Sequence, residues 1–238
     1  MNKPDIIFFD YGQTLVGESP YDHKKGFEAV LKHAVSNPDG TDAGNIADLY
    51  LSLRKKIWDG NNANLEVHSH FLMRYITEYY NIGFDCDYDE IEQIFWDNAV
   101  EFRLQDGITE LLDLLYEKNI RTAVISNIDY SENTLKRVID RFLPRHHFEF
   151  IIASSEYIFR KPDKEIFELA IKKANLKNAE NAWFIGNDEY YDAEGAAKNG
   201  FSAFWYTGSE FYTPKREPEC EHTHIKHWNE LIDTVKRF

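Results

Sequence analysis

Asp10 is the residue with the most chemistry to offer, because the apolar run Ile6-Ile7-Phe8-Phe9 delivers it and Gly12 closes the stretch. A short apolar run stopped by glycine reads as a buried strand. Open α/β sheets place their reacting groups at strand carboxyl ends. Three further groups follow in order. Ser126-Asn127 comes after Thr122-Ala123-Val124-Ile125, a lysine lies in Arg160-Lys161-Pro162-Asp163, and Gly186-Asn187-Asp188 opens an acidic loop that continues to Glu189 and Asp192. A carboxylate nucleophile, a hydroxyl, a lysine and an acidic loop are the parts needed for phosphoryl transfer through an aspartyl-phosphate. Asp10 would attack phosphorus, Ser126 Oγ with adjacent N–H groups would hold a phosphate oxygen, and Lys161 would neutralise the charge that Asp10 and phosphate share. The acidic loop would hold Mg²⁺, a hard cation that accepts one or two carboxylates plus substrate phosphate.

Taken singly, each part has a plainer reading. Ser126 and Asn127 suit a turn, Lys161 suits a solvated position before a helix with Pro162 at its first residue, and Asp188, Glu189 and Asp192 suit a helix N-terminus. Their joint order favours the chemical reading.

The elements that must position these groups follow from hydrophobic period. From Asp106 onward helix and strand alternate, the pattern of βαβ units and a parallel sheet. Strands are expected at 6–9, 122–125, 150–153, 182–185 and 202–206, five in all, with the first in the middle of the sheet. A short strand through His222 and His224 and a last helix from Trp228 to Lys236 are also expected. Between Leu15 and Gln105 the spacing is helical. It links Phe27, Val30, Leu31 and Ala34; then Ile46, Leu49, Leu53 and Ile57; then Phe71, Leu72, Tyr75, Ile76 and Tyr79; then Ile91, Phe95, Asn98 and Phe102. Residues 1–15 plus 105–238 therefore read as one α/β unit and 16–104 as a helical bundle, with the Phe71, Tyr75, Tyr79 stripe as bundle core.

With 27 basic against 41 acidic residues, the net charge is −14, and such a surface repels nucleic acid and anionic membranes. An anionic substrate would need local positive charge. Cys86 and Cys220 form no framework, which suits a reducing cytoplasm. No signal peptide and no membrane-spanning stretch is evident.

Together these segments resemble the haloacid dehalogenase-like hydrolase superfamily over essentially the whole chain. The D-x-D-x-T motif that opens the family pattern is similar to Asp10-Tyr11-Gly12-Gln13-Thr14. The strand-end hydroxyl that follows it resembles Ser126, the family lysine resembles Lys161, and the closing acidic motif resembles Gly186-Asn187-Asp188 with Asp192. The resemblance implies a Rossmann-like doubly wound parallel sheet with a helical cap inserted between the first two motifs. It implies a Mg²⁺-dependent phosphatase of a small phosphorylated metabolite, with Asp10, Ser126 and Lys161 catalytic and Asn127 a further phosphate contact. Asp10, the Gly12 carbonyl and Asn187 or Asp188 would hold the metal, and Thr14 and Asp192 would orient their neighbours. The linker Gly17 to Tyr21 and the loop Trp58 to Asn64 are the expected substrate contacts.

Two positions depart from the pattern. Gly12 stands where phosphatase members carry the aspartate that protonates the leaving group, work that contributes about 10²- to 10⁴-fold. Asn187 stands where a metal-binding aspartate is usual. The dehalogenating branch also lacks the second aspartate and uses no metal, so a 2-haloacid dehalogenase is one alternative; a binding or regulatory protein that kept the fold is another. Elsewhere, Cys220, His222, His224 and His227 lack the paired spacing of a structural zinc site. Lys24 and Lys25 read as solvated, and His68 and His70 have no evident partner.

Overall fold

The computed structural model describes residues 2–58 and 64–238, so residues 59–63 of the expected substrate loop lie outside the described residues. Strand β1 (Ile6–Phe9) has no solvent exposure at any residue. Alternate side chains of a strand point to opposite faces. Ile7 and Phe9 accordingly enter one apolar cluster, Ile6 and Phe8 another. Both faces are covered, which is why the sequence here shows a continuous apolar run and no alternation.

After a turn at Gln13, whose φ is 62°, the chain enters β2 (Val16–Glu18). The segment that follows holds α1 (His23–Leu31), β3 (Ala34–Ser36), α2 (Ala43–Trp58), α3 (Ser69–Tyr79), β4 (Gly83–Phe84), α4 (Tyr88–Ala99) and β5 (Phe102–Leu104). Asp22 and Asp87 cap α1 and α4, each accepting from the backbone N–H three residues on at 2.9 Å. β2 pairs antiparallel with β5, and β3 with β4.

The expected purely helical bundle is thus corrected at two points. Ala34 leaves the helix for β3, and Phe102 leaves it for β5, because cross-strand pairing takes over where helical spacing alone would have continued. A third correction concerns α3. Phe71, Tyr75 and Tyr79 are 69%, 51% and 63% exposed, and the bundle core is made by Leu72, Met73 and Ile76. Both rows have helical spacing, about 100° apart around the axis, and only one can face α2 and α4.

From Ile108 the chain runs α5 (Ile108–Glu117), β6 (Arg121–Ser126), α6 (Glu132–Phe142), β7 (Ile151–Ala153), α7 (Lys164–Lys173), β8 (Ala182–Gly186), a π-helical turn (Glu189–Glu194), α8 (Gly195–Lys198), β9 (Ser202–Tyr206), β10 (Thr223–Ile225) and α9 (Trp228–Val235). The strands form a parallel sheet in the order β10-β9-β8-β1-β6-β7. The sheet has six strands where five were expected, because β10 joins the edge beside β9. β1 lies between β8 and β6, with Phe9 in register with Ile185 and Val124. Parallel strands share a direction, so Asp10, Ser126 and the loop after Gly186 leave the same sheet edge. Among the described residues no helix is long and apolar enough to cross a membrane.

Candidate active site

The register of β1 fixes Asp10 just past the sheet, where its N–H donates to Ile185 O at 2.8 Å. Lys161 reaches it from the segment before α7, and Lys161 Nζ lies 2.7 Å from Asp10 Oδ1 and 2.6 Å from Asp192 Oδ1. All three side chains are buried. Burial alone would lower the lysine, but the two carboxylates outweigh it and hold Lys161 above its ordinary range. Burial raises both acids against the pull of Lys161, Asp192 to about 7.

The lysine's own backbone is held by Asn127, whose Nδ2 donates to Lys161 O and whose Oδ1 accepts from Lys161 N, each at 2.8 Å. Both ends of the Asn127 amide thus engage the Lys161 backbone, and Asn127 also lines the cavity over Asp10. Ser126, the last residue of β6, is buried and lines the same cavity as Asp10.

Asp192 sits against Gly186, where an added Cβ would come within 2.4 Å of its carboxyl group. Only glycine admits that approach. The other Asp192 oxygen accepts from Asp188 N at 2.9 Å.

Thr14 is fully buried, and its hydroxyl lies 3.3 Å from Asp10 Oδ2 and 3.2 Å from Asn187 Oδ1. It thereby ties the first motif to the acidic loop. Asp188 faces elsewhere. Its Oδ1 accepts from Tyr190 N and Tyr191 N at 2.9 and 2.8 Å, and its Oδ2 from the Tyr212 hydroxyl at 3.0 Å. Of the expected metal ligands, Asn187 shares the Thr14 hydroxyl with Asp10, and Gly12 lines the same cavity as Asp10. An all-oxygen set with one carboxylate and a neutral amide suits Mg²⁺, which takes its remaining ligands from water and phosphate.

A cavity of about 420 Å³ opens over Asp10. Its other walls come from the helical insert and include Glu18, Tyr21, His23, Leu51 and Arg54. Gly12 borders it, and a Cβ there would meet no atom within 4 Å. Arg54 of α2 pairs with Asp129 beyond β6, and Arg160 lies 3.5 Å from Glu66. These pairs join the insert to the α/β unit at the cavity. Neither Arg54 nor Asp129 was recognisable in advance, since a charged residue on an amphipathic helix ordinarily faces solvent. Arg160 carried one signal, its place beside Lys161. Glu18 and Tyr21 fall within the linker expected to meet substrate.

His68 and His70 also acquire partners. His70 Nε2 lies 3.2 Å from Glu92 Oε1 and 3.3 Å from Asp89 Oδ1, and His68, His70 and Glu92 could together offer three ligand atoms. Burial would lower His70, but Glu92 and its acidic neighbours hold it above the ordinary imidazole range. This arrangement sets both imidazoles beside the wholly buried Glu92 side chain. The stretch from Cys220 to His227 gathers no such group among the described residues. Lys24 and Lys25 are exposed.

Comparison with known proteins agrees with this geometry. A glyceraldehyde 3-phosphate phosphatase of Pyrococcus furiosus is 26% identical over 214 residues, 87% of this chain and 82% of that protein. The first curated relatives matched are mammalian haloacid dehalogenase-like hydrolase domain-containing proteins 3, and the chain spans about half their length. Two solved structures share the fold: a HAD phosphatase of Thermococcus onnurineus (TM-score 0.65, 15% identity, 97% of each chain) and a 2-haloacid dehalogenase of Pseudomonas syringae pv. Tomato DC3000 (TM-score 0.61, 18% identity, 98% of this chain and 99% of that one). A profile described as haloacid dehalogenase-like hydrolase matches residues 4–200, and the chain belongs to that family.

Proposed function

We propose that this hydrolase is a phosphatase of small phosphorylated metabolites, acting through an aspartyl-phosphate on Asp10 with Mg²⁺ as cofactor. The observation that carries the reading is the buried Asp10–Lys161–Asp192 chain, with contacts of 2.7 and 2.6 Å, whose Asp10 is joined to the Asn187 amide oxygen through the Thr14 hydroxyl.

An Asp10 oxygen forms a bond to phosphorus as the bond from phosphorus to the leaving oxygen breaks. Water then attacks phosphorus and releases Asp10 and phosphate. Lys161 compensates the charge gathered between Asp10 and the phosphoryl group, and Ser126 Oγ holds one of its oxygens. Asp10, the Gly12 carbonyl and Asn187 would hold Mg²⁺, which supplies further charge neutralisation to the phosphate oxygens. The helical insert acts as a cap that shelters the leaving group, with Arg54 and Arg160 attracting an anion.

The test is phosphate release from a panel that includes glyceraldehyde 3-phosphate and phosphoglycolate, in Mg²⁺ and in EDTA. Turnover in Mg²⁺, its loss in EDTA and its loss in Asp10→Asn are expected; turnover unchanged in Asp10→Asn would overturn the reading. Gly12 favours one rival, a metal-independent 2-haloacid dehalogenase. Halide release from 2-chloropropionate in EDTA, without phosphate release from the panel, would establish that rival instead.

A further inference from the structure

Gly12 offers no side chain to protonate a leaving group, so an acid at this site would have to stand on another wall of the cavity. Four carboxyl groups line it: Asp10, Glu18, Glu66 and Asp129. Three face a cation, Asp10 with Lys161, Glu66 with Arg160 and Asp129 with Arg54. Among the described residues, Glu18 has no cation within the 4.0 Å reach of an ion pair.

Glu18 is set among neutral donors instead. The Tyr21 hydroxyl donates to Oε2 at 2.9 Å, and Tyr11 and Trp96 are the other neutral polar neighbours of the carboxyl group. No well-directed hydrogen bond reaches Oε1, the Tyr11 hydroxyl or Trp96 Nε1. The titratable groups that act on Glu18 are Tyr11, Tyr21 and Asp10. On other walls stand His23 and the Asp129–Arg54 pair. Burial pushes Glu18 up to about 7, against the pull of its hydrogen-bond donors. Its backbone is tied to the loop that carries Gly12, since Gln13 Nε2 donates to Glu18 O at 2.8 Å.

We propose that Glu18 is the general acid and base of this site, supplying the proton that position 12 cannot. The proposal rests on the phosphatase reading above. As the bond from phosphorus to the leaving oxygen breaks, that oxygen takes the Glu18 proton and departs as an alcohol, leaving a Glu18 carboxylate. As water attacks the phosphoryl group on Asp10, its proton passes to Glu18, Asp10 leaves as a carboxylate, and the acid is restored. Both steps balance without another reactant.

The test compares p-nitrophenyl phosphate, whose leaving group needs little protonation, with phenyl phosphate, whose leaving group needs more. Glu18→Gln is expected to lower kcat on phenyl phosphate by about 10²-fold, and on p-nitrophenyl phosphate by much less. In the unaltered protein, kcat on phenyl phosphate should fall as pH rises through about 7, and Glu18→Gln should remove that fall. Adding Gly12→Asp to Glu18→Gln should restore most of the loss, because position 12 has room for the side chain. A structural role for Glu18 would not be rescued that way. Equal loss on both substrates without rescue, or no loss, overturns the proposal alone. If the unaltered protein hydrolyses neither substrate, the phosphatase reading falls with it.

Discussion

Asn127 grips the backbone of Lys161 from both sides, donating to its carbonyl and accepting from its N–H at 2.8 Å each. The position of Lys161 Nζ between Asp10 and Asp192 therefore depends on a residue that touches neither carboxylate. Asn127→Ala removes both bonds and leaves buried backbone groups unpaired, a cost of about 1–3 kcal/mol. Phosphatase kcat should fall by about tenfold or more as the ammonium loses its geometry. Denaturant titration and steady-state kinetics check the two effects; lost stability with unchanged kcat would mean that Lys161 is held well enough by its carboxylates.

Gly186 and Gly12 should respond oppositely to the same methyl group. At Gly186 an added Cβ would fall 2.4 Å from the Asp192 carboxyl group, whereas at Gly12 it would meet nothing within 4 Å. Gly186→Ala must move Asp192 or the loop, costing about 1–3 kcal/mol and lowering kcat with it. Gly12→Ala should leave the melting temperature nearly unchanged. Equal melting temperatures for both variants would contradict the close packing of Asp192 on Gly186.

The pH dependence of stability should carry the mark of His70. Its folded pKa is raised: burial opposes the charge, but Glu92, Asp89 and Glu156 favour it more strongly. The stabilisation is fully present below the unfolded imidazole pKa of about 6.5 and is lost as pH rises through the higher folded value. Between about pH 6 and pH 8, the melting temperature of the unaltered protein should drop more than that of His70→Gln. Parallel curves would show that the buried Glu92 is compensated without imidazolium.

Much of the site was legible because each of its groups follows a strand of one sheet or precedes one helix. Asp10, Ser126 and Asn187 converge once strand order is known, and period and breakers supply that order. The helical segment was less legible for a physical reason. Phe71, Tyr75 and Tyr79 share a helical period with Leu72, Met73 and Ile76, and nothing local says which row meets a neighbour. Arg54 and Asp129 were equally hidden, since their pairing depends on how the insert packs onto the α/β unit. The contacts of Asp188 with Tyr190 N, Tyr191 N and the Tyr212 hydroxyl were likewise hidden, since they form only in the folded chain.

Arg54 provides the sharpest check on how the insert serves the site. It projects from α2, pairs with Asp129, stays charged near neutrality, and has its guanidinium 4.5 Å from the Trp58 ring centroid. Arg54→Met keeps much of the apolar packing but leaves Asp129 without its cation and removes positive charge from the cavity wall. An anionic substrate should then bind about tenfold more weakly, which corresponds to about 1.4 kcal/mol, while turnover at saturation changes less. Arg54→Lys should recover only part of the loss, because an ammonium cannot reproduce the planar contacts to Trp58 and Asp129. The measurement is KM and kcat for the best substrate of the panel at two ionic strengths. A fall in kcat with KM unchanged would place Arg54 in the chemical step and would contradict a role in attracting and holding the substrate.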